Sequence, residues 1–330
     1  MDFSVVIATY RRHEFVVQAV DSALAQHHPP AEVIVVSDGP DPELRARLGR
    51  HPVRVLDPAH RGVAAARNTG VRAATSRWVS FLDDDDLWHP EHLALTAEYL
   101  ARNPHVRAVN APIWTFSARA DFVGAELIAS DLESCLAAAK ARVPTNDQSF
   151  LDIAGHSFDA LLERNRCCVV TSTVDRELLL EAGGFPEGYT CAEDWVMSIN
   201  VARYAEWHTL SERTCFVRGH ESNNTSVTRG LVALQAIARV WESPSRQPPH
   251  RPLKAYGLHY RFMLQSTIWS AMLNRRPDIA LAAFKTAMPL LPVRRDRWYA
   301  LVPPPLIWRI QRARRFARAQ IRRLSNRRCL

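Results

Sequence analysis

Four carboxylates in a row, Asp83-Asp84-Asp85-Asp86, stand directly after the apolar run Trp78-Val79-Ser80-Phe81-Leu82. Adjacent like charges repel, so such a run persists only where water solvates it or a cation neutralises it. A solvated acidic face usually has Lys or Arg interleaved, whereas β-forming residues precede this run and Leu87-Trp88-His89-Pro90 follows it. The pattern predicts a buried strand with charges gathered at its carboxyl end. Hard oxygen ligands in that position suit Mg²⁺ or Mn²⁺, ions that usually bring a substrate phosphate with them. A metal and diphosphate site is the first expectation.

The chain ahead of the run repeats one theme. Phe3-Ser4-Val5-Val6-Ile7-Ala8 and Glu32-Val33-Ile34-Val35-Val36-Ser37 are short β-branched runs of the kind buried in parallel sheets. Between them Phe15, Val16, Ala19, Val20, Ala23 and Leu24 make a helical stripe, closed by Pro29-Pro30. Asp38-Gly39-Pro40-Asp41-Pro42 then marks a turn, completing a βαβ unit. Further strands are predicted at 53–56, 78–82, 108–114, 169–174 and 215–218. Helices are predicted at 63–74, at 91–102 with Pro90 in the first turn, and at 176–182, 195–205, 256–273 and 279–287. Residues 115–160 read as irregular.

Composition enters through charge. The 330 residues carry a net charge of +8, yet nine Arg and no acidic residue lie between Pro305 and Leu330, leaving 33 basic residues against 34 acidic ones elsewhere. The basicity belongs to a tail, in which Leu306, Ile310, Ala313, Ala317, Ile321 and Leu324 form an apolar stripe. A basic amphipathic helix over 305–328 suits an anionic membrane surface, or a helix packed on the catalytic domain with a solvated Arg face. No nucleic-acid partner is expected, because the body is not basic and Trp308 and Phe316 make no stacking platform. An apolar fraction of 47% suits a globular chain. The six Cys show neither a C-x-x-C pair nor regular spacing, which predicts a reducing, cytoplasmic compartment. No signal peptide and no spanning helix is expected. Ser243-Pro244-Ser245-Arg246-Gln247-Pro248-Pro249 reads as a linker, which puts a boundary near 230 to 250.

Six segments together resemble glycosyltransferase family 2, over residues 3 to about 228. They are Ser4-Val5-Val6-Ile7-Ala8-Thr9-Tyr10-Arg11-Arg12, Val35-Val36-Ser37-Asp38-Gly39, Gly62 to Gly70, Phe81 to Pro90, Gly183-Gly184-Phe185 and Ala192-Glu193-Asp194-Trp195. The resemblance implies the GT-A fold, a Rossmann-like α/β architecture with a mostly parallel sheet flanked by helices. Here it would occupy residues 1–230, with a nucleotide-sugar-binding half at about 1–114 and an acceptor-binding half at about 115–230. Residues 231–330 would form a helical C-terminal appendage.

The resemblance also implies roles. Thr9, Tyr10, Arg12 and Asp38 would hold the nucleotide, and a carboxylate at Asp38 can accept the imide N–H of uracil, so a UDP-sugar comes first and a dTDP-sugar second. Taken alone, Asp38 is a turn residue. Arg67 would touch the donor sugar or pyrophosphate with its guanidinium fork. The D-x-D pattern maps onto Asp83, Asp84 and Asp85, with Asp85 ligating Mn²⁺ or Mg²⁺, Asp83 and Asp84 on the donor, and Asp86 either following them or capping the next helix. His220 would reach the metal or the diphosphate. Asp194 would act as general base toward the acceptor and Glu193 would bind acceptor or donor, although both also suit a helix N-terminus.

The expected activity is a metal-dependent, inverting transfer of one sugar to a glycan, lipid-linked, peptide or small-molecule acceptor, in the cytoplasm or peripherally at the inner face of the membrane. Cell-surface glycan or natural-product biosynthesis would use it. Two rivals are a sugar nucleotidyltransferase and a non-catalytic nucleotide-sugar-binding protein. Against the first, strand one ends in Thr9-Tyr10-Arg11-Arg12 where a Gly-rich phosphate loop is needed; against the second, the Glu193-Asp194 pair is present.

Overall fold

The computed structural model describes residues 1–119, 121–122, 125–140, 152–219, 228–242, 251–294, 296–297 and 301. The chain divides into two compact units, one of residues 1–225 with 244–250 and one of residues 226–243 with 251–330. His220, the 243–249 segment and the 305–328 tail lie outside the described residues.

In the first unit the apolar runs become strands β1 (Phe3–Thr9), β2 (Glu32–Ser37), β3 (Arg54–Leu56) and β4 (Trp78–Asp83), with helices α1 (His13–Leu24), α2 (Pro42–Leu48) and α3 (Val63–Ala73) between them. β1 lies parallel between β2 and β4, and β3 extends the sheet parallel to β2. At one point α3 must approach the sheet closely. Gly70 of α3 meets that demand, because a Cβ there would stand 2.3 Å from Val6 Cγ1.

After β4 the chain forms β5 (Leu87–Trp88), α4 (His92–Arg102), β6 (Ala108–Asn110), β7 (Ile113–Ser117), β8 (Leu127–Ile128), α5 (Leu132–Lys140) and α6 (Ser157–Glu163). Next come β9 (Thr173–Asp175), α7 (Arg176–Glu181), α8 (Glu193–Ala202), β10 (Trp207–Thr209) and β11 (Cys215–Arg218). The large sheet runs β10-β6-β9-β4-β1-β2-β3, with β9 antiparallel to both neighbours. A second sheet, β5-β11-β7-β8, packs Trp114, Phe116 and Phe216 against Leu132 and Leu136 of α5. Among the described residues, Cys135, Cys167, Cys168 and Cys215 are free thiols.

Several expectations are corrected. The run 108–114 is two strands in different sheets, divided at Ala111-Pro112, because Pro112 has no N–H to continue a ladder. The expected strand 169–174 is a 3₁₀ turn at Val169–Thr171 followed by the short β9. Residues 115–160, read as irregular, hold part of β7 together with β8, α5 and α6. Pro90 precedes its helix, which starts at His92.

In the second unit, α9 (Arg229–Glu242) is a helix absent from the expectations, lying in the boundary zone near 230 to 250 and ending before the linker read at 243–249, and α10 (Gly257–Leu273) and α11 (Pro277–Ala287) follow. α9 packs Leu234, Ala236, Ile237 and Val240 inward. No helix among the described residues is long and apolar enough to cross a membrane.

Candidate active site

Strand register brings the site together. Ala8 stands opposite Asp83 and Thr9 opposite Ser37, so β1, β2 and β4 end at one level, each followed by polar residues. Open α/β sheets bind ligands at the carboxyl ends of their strands.

Beyond Asp83 the backbone folds back, with the Asp86 N–H donating to the Asp83 carbonyl at 3.3 Å. This turn sorts the four carboxylates. Asp83, Asp85 and Asp86 each offer an oxygen within 4.8 Å of the others. Asp84 joins β1 instead, accepting from Thr9 Oγ1 at 2.7 Å and from Arg12 Nη1 at 3.0 Å. The same Arg12 nitrogen lies 2.5 Å from Asp85 Oδ2. Asp86 caps no helix, contrary to one expectation for it; its Oδ1 accepts from the Arg218 backbone N–H at 2.8 Å.

Electrostatics agree with the geometry. Burial, then the neighbouring Asp85 and Asp83, push the Asp86 carboxyl well above its ordinary range. Burial also raises Asp83, and lifts Asp84 to about 6 although Thr9 and Arg12 oppose the shift. Three converging carboxylates that repel one another in a buried turn fit a hard divalent cation, which takes oxygen ligands and removes the repulsion.

Arg67 ties this turn to α8. Assigned to the donor by the resemblance, it forms an interior bridge, 5% exposed, donating from Nη2 to Asp83 Oδ1 at 2.6 Å and from Nη1 to Glu193 Oε1 at 2.8 Å. Its guanidinium lies 5.3 Å from the centre of the Phe185 ring. Burial among small residues of α3 disfavours its charge, but Asp83 and Glu193 outweigh that and raise its pKa. A buried guanidinium needs such partners, which explains why its fork is committed to protein carboxylates.

Glu193 and Asp194 open α8, preceded by Ala192 in the left-handed region at φ +66°. An alanine there is strained, and it stands directly before the two acids at the helix start. Asp194 is partly exposed and accepts from Asn165 Nδ2 at 3.2 Å and from the Trp195 N–H at 2.7 Å. Burial, then Glu193, raise its pKa to about 6 against the pull of Arg67. A carboxylate titrating there is basic enough to take a proton and still largely ionised at neutral pH.

On the β2 side Asp38 first serves its own loop. Its carboxylate accepts from the N–H groups of Arg61 at 2.8 Å and Gly62 at 3.0 Å, and meets His60 Nδ1 at 2.8 Å. Tyr10, 48% exposed, rests its ring 4.9 Å from that of His60, giving the loop an open aromatic edge.

Two residues escaped the sequence reading. Arg218 donates from Nε to the Asp85 carbonyl at 2.8 Å and from Nη2 to Gln18 at 2.7 Å, with Phe15 and Phe116 against its guanidinium. Its position at the end of a short strand was the only available signal. Asn165, in the polar stretch Arg164-Asn165-Arg166, carried none.

The sheet, the acidic turn and the paired carboxylates on α8 define a GT-A fold of the kind found in glycosyltransferases. Residues 4–144 match the model of Glycosyl transferase family 2, so the resemblance read from the motifs holds over that stretch. S. aureus TarS in complex with UDP-GlcNAc is similar at TM-score 0.56 and 17% identity, over 82% of this chain and 81% of that one. The mannosyltransferase PcManGT from Pyrobaculum calidifontis, in complex with GDP-Man and Mn²⁺, is similar at TM-score 0.52 and 19% identity, over 96% of this chain and 80% of that one. In sequence, the succinoglycan biosynthesis protein ExoO of Rhizobium meliloti is 38% identical over 28% of this chain. An uncharacterized glycosyltransferase of Rickettsia felis is 28% identical over 30% of this chain. These matches span 28% and 17% of the two relatives' own lengths.

Proposed function

We propose that this chain transfers one sugar from a nucleoside-diphosphate sugar to an acceptor nucleophile, inverting the anomeric carbon, with Mn²⁺ or Mg²⁺ at the acidic turn. The observation that carries the reading is the Arg67 bridge: one buried guanidinium holds Asp83 of the turn and Glu193 beside Asp194 in a single arrangement.

In the proposed reaction Asp194 takes the acceptor proton as the new glycosidic bond forms and the bond to the diphosphate breaks. Asn165 orients the Asp194 carboxylate, and Arg67 keeps it from rising further in pKa. When bound, the divalent ion would supply positive charge for the leaving diphosphate, with Asp85 as principal ligand beside Asp83 and Asp86. Arg12 stands where it can turn from Asp84 and Asp85 to a phosphate. These contributions are positioning and electrostatics, which suffice for group transfer between oriented partners.

On the donor, Asp38, Thr9 and Tyr10 at the ends of β1 and β2 favour a pyrimidine nucleotide, uridine before thymidine. TarS with UDP-GlcNAc supports this order, while the mannosyltransferase with GDP-Man keeps guanosine donors in the comparison. His220 stays a candidate for the metal or diphosphate on the family resemblance. A lipid-linked acceptor would suit the Arg-rich segment 305–328.

The test is a thermal-shift panel of UDP-, dTDP- and GDP-sugars with and without Mn²⁺, followed by nucleoside-diphosphate release across an acceptor panel. Metal-dependent stabilisation by one donor class, with release that Asp194→Asn abolishes, is the expected result. Stabilisation without release would make this a binding protein. Pyrophosphate release from a sugar phosphate and a nucleoside triphosphate would make it a nucleotidyltransferase.

A further inference from the structure

The two compact units carry opposite charge. Residues 226–243 and 251–330 hold 20 Lys and Arg against three acidic residues, Glu242, Asp278 and Asp296, leaving 22 basic and 31 acidic residues for the other unit. A partner for the excess positive charge is therefore local to the second unit.

Helix α10 shows what kind of partner. Tyr260, Leu264 and Ala271 are fully buried on its inner side. Its outer side is apolar as well: Leu258, Phe262 and Leu273 are 48%, 51% and 82% exposed, and Trp269 is half-buried between them. Intervals of four, seven and four residues keep these four side chains on one helical stripe. Met272 and Leu281 add exposed apolar surface where α10 turns into α11. Cations border the stripe, with exposed Lys254 before it and exposed Arg275 after Leu273, while the neighbouring Arg276 is paired with Asp278 at 2.7 Å. Large exposed apolar side chains gathered on one helical stripe mark an interaction site.

We propose that the outer side of α10, with the α10–α11 corner, lies on an anionic bilayer surface. Apolar side chains enter the boundary between headgroups and acyl chains while Lys and Arg meet lipid phosphates. A nucleic acid would satisfy the cations and leave Leu258, Phe262 and Leu273 in water. A second copy of the chain would cover the apolar stripe but bring two positive units face to face. The proposal does not rest on the transferase reading.

The experiment is co-sedimentation of the full chain with vesicles of phosphatidylcholine alone or mixed with phosphatidylglycerol. Binding is expected to the anionic vesicles only and to weaken with added salt. The double variant Phe262→Glu/Leu273→Glu is expected to lower the apparent affinity by about tenfold or more, since each apolar side chain kept in water forfeits a substantial burial term. Circular dichroism and Tm establish that the variant folds, and Phe262→Gln/Leu273→Gln serves as the milder second variant. Indifference of the wild-type chain to both vesicle types would overturn the proposal. Equal binding by wild-type and folded variant chains would overturn it too, because the contact would then lie elsewhere, as on 305–328. So would capture of both chains by heparin without vesicle binding, or loss of a dimer in the variant with vesicle binding unchanged.

Discussion

The turn after β4 and the start of α8 both present paired acids in buried surroundings, yet they are built for different chemistry. At the turn, Asp83, Asp85 and Asp86 converge on one another, and burial with mutual repulsion drives Asp86 far above its ordinary pKa. At α8 the two acids diverge. Glu193 goes to Arg67, while Asp194 keeps an exposed edge, an amide partner and a pKa near 6. Convergent carboxylates call for a cation; a single carboxylate held apart, moderately raised, can exchange a proton. The same residue type thus serves two roles because Arg67 takes one acid from each group.

The sharpest way to break the contrast is Asp194→Asn. Transfer should fall by roughly 10²–10⁴-fold while the nucleotide Kd stays within experimental error. Equal loss of both would mean that Asp194 binds rather than reacts. Folding gives a second reading. Because the folded pKa, about 6, lies above the ordinary 3.8, this group's contribution is fully present below pH 4 and is lost as pH rises through 6. The variant should therefore be more stable than wild type at pH 7, by on the order of 1–2 kcal/mol, and the gain should vanish at pH 4. On the other side, Asp85→Ala should weaken metal-dependent nucleotide binding by at least ~10–100-fold, measured by calorimetry with and without Mn²⁺. Unchanged metal dependence would move the ligand to another residue.

How much of this contrast was legible in sequence follows the same divide. The acid run after an apolar strand and the acidic pair ahead of a helix are local patterns, and the βαβ frame that aligns β1, β2 and β4 is a periodicity. What stayed hidden depends on distant partners. Arg218 reaches Asp85 and Asp86 from β11 of the second sheet, 132 residues further along the chain from Asp86, and no local pattern announces a guanidinium between Phe15 and Phe116. The family resemblance placed Asp84 with Asp83 and Asp85 through the D-x-D pattern, which carries no information about the local turn. The turn that sends Asp84 to Thr9 forms through one backbone hydrogen bond between Asp86 and Asp83. The resemblance made Arg67 a donor contact, and its two protein partners, 16 and 126 residues away, left no local mark in the sequence. In the second unit α9 went unread, although its buried apolar positions Leu234, Ala236, Ile237 and Val240 all lie before the first proline of the linker, Pro244.

Arg67→Lys sharpens the comparison by keeping the charge and removing the fork. A lysine cannot donate to Asp83 and Glu193 as two fixed parallel arms, so the hold on one of them loosens. Arg67 opposes the rise of the Asp194 pKa, and weakening it should move that pKa upward. The acid limb of the pH profile, expected near pH 6 in the wild-type enzyme, should shift up by as much as ~1 unit. A limb that stays in place would show that the two acid groups are not coupled through Arg67.

The smallest expected effect has an unusual sign. Arg12 sits on Asp85 Oδ2, a candidate metal ligand, and is held there by Asp84, which is in turn held by Thr9. Its side chain is about one-third exposed, 35%, so the contact is only partly desolvated. Such a pair contributes modestly, but a divalent ion has to displace it. Arg12→Ala should therefore raise Mn²⁺ affinity in the absence of nucleotide by about twofold to fivefold, read by calorimetry or electron paramagnetic resonance. With nucleotide present the same substitution should lower affinity, because Arg12 is then free to meet a phosphate. Opposite signs under the two conditions would place Arg12 on the turn's side of the comparison, as a cation that yields its place to another. A fall under both would make it a structural partner of Asp84 alone.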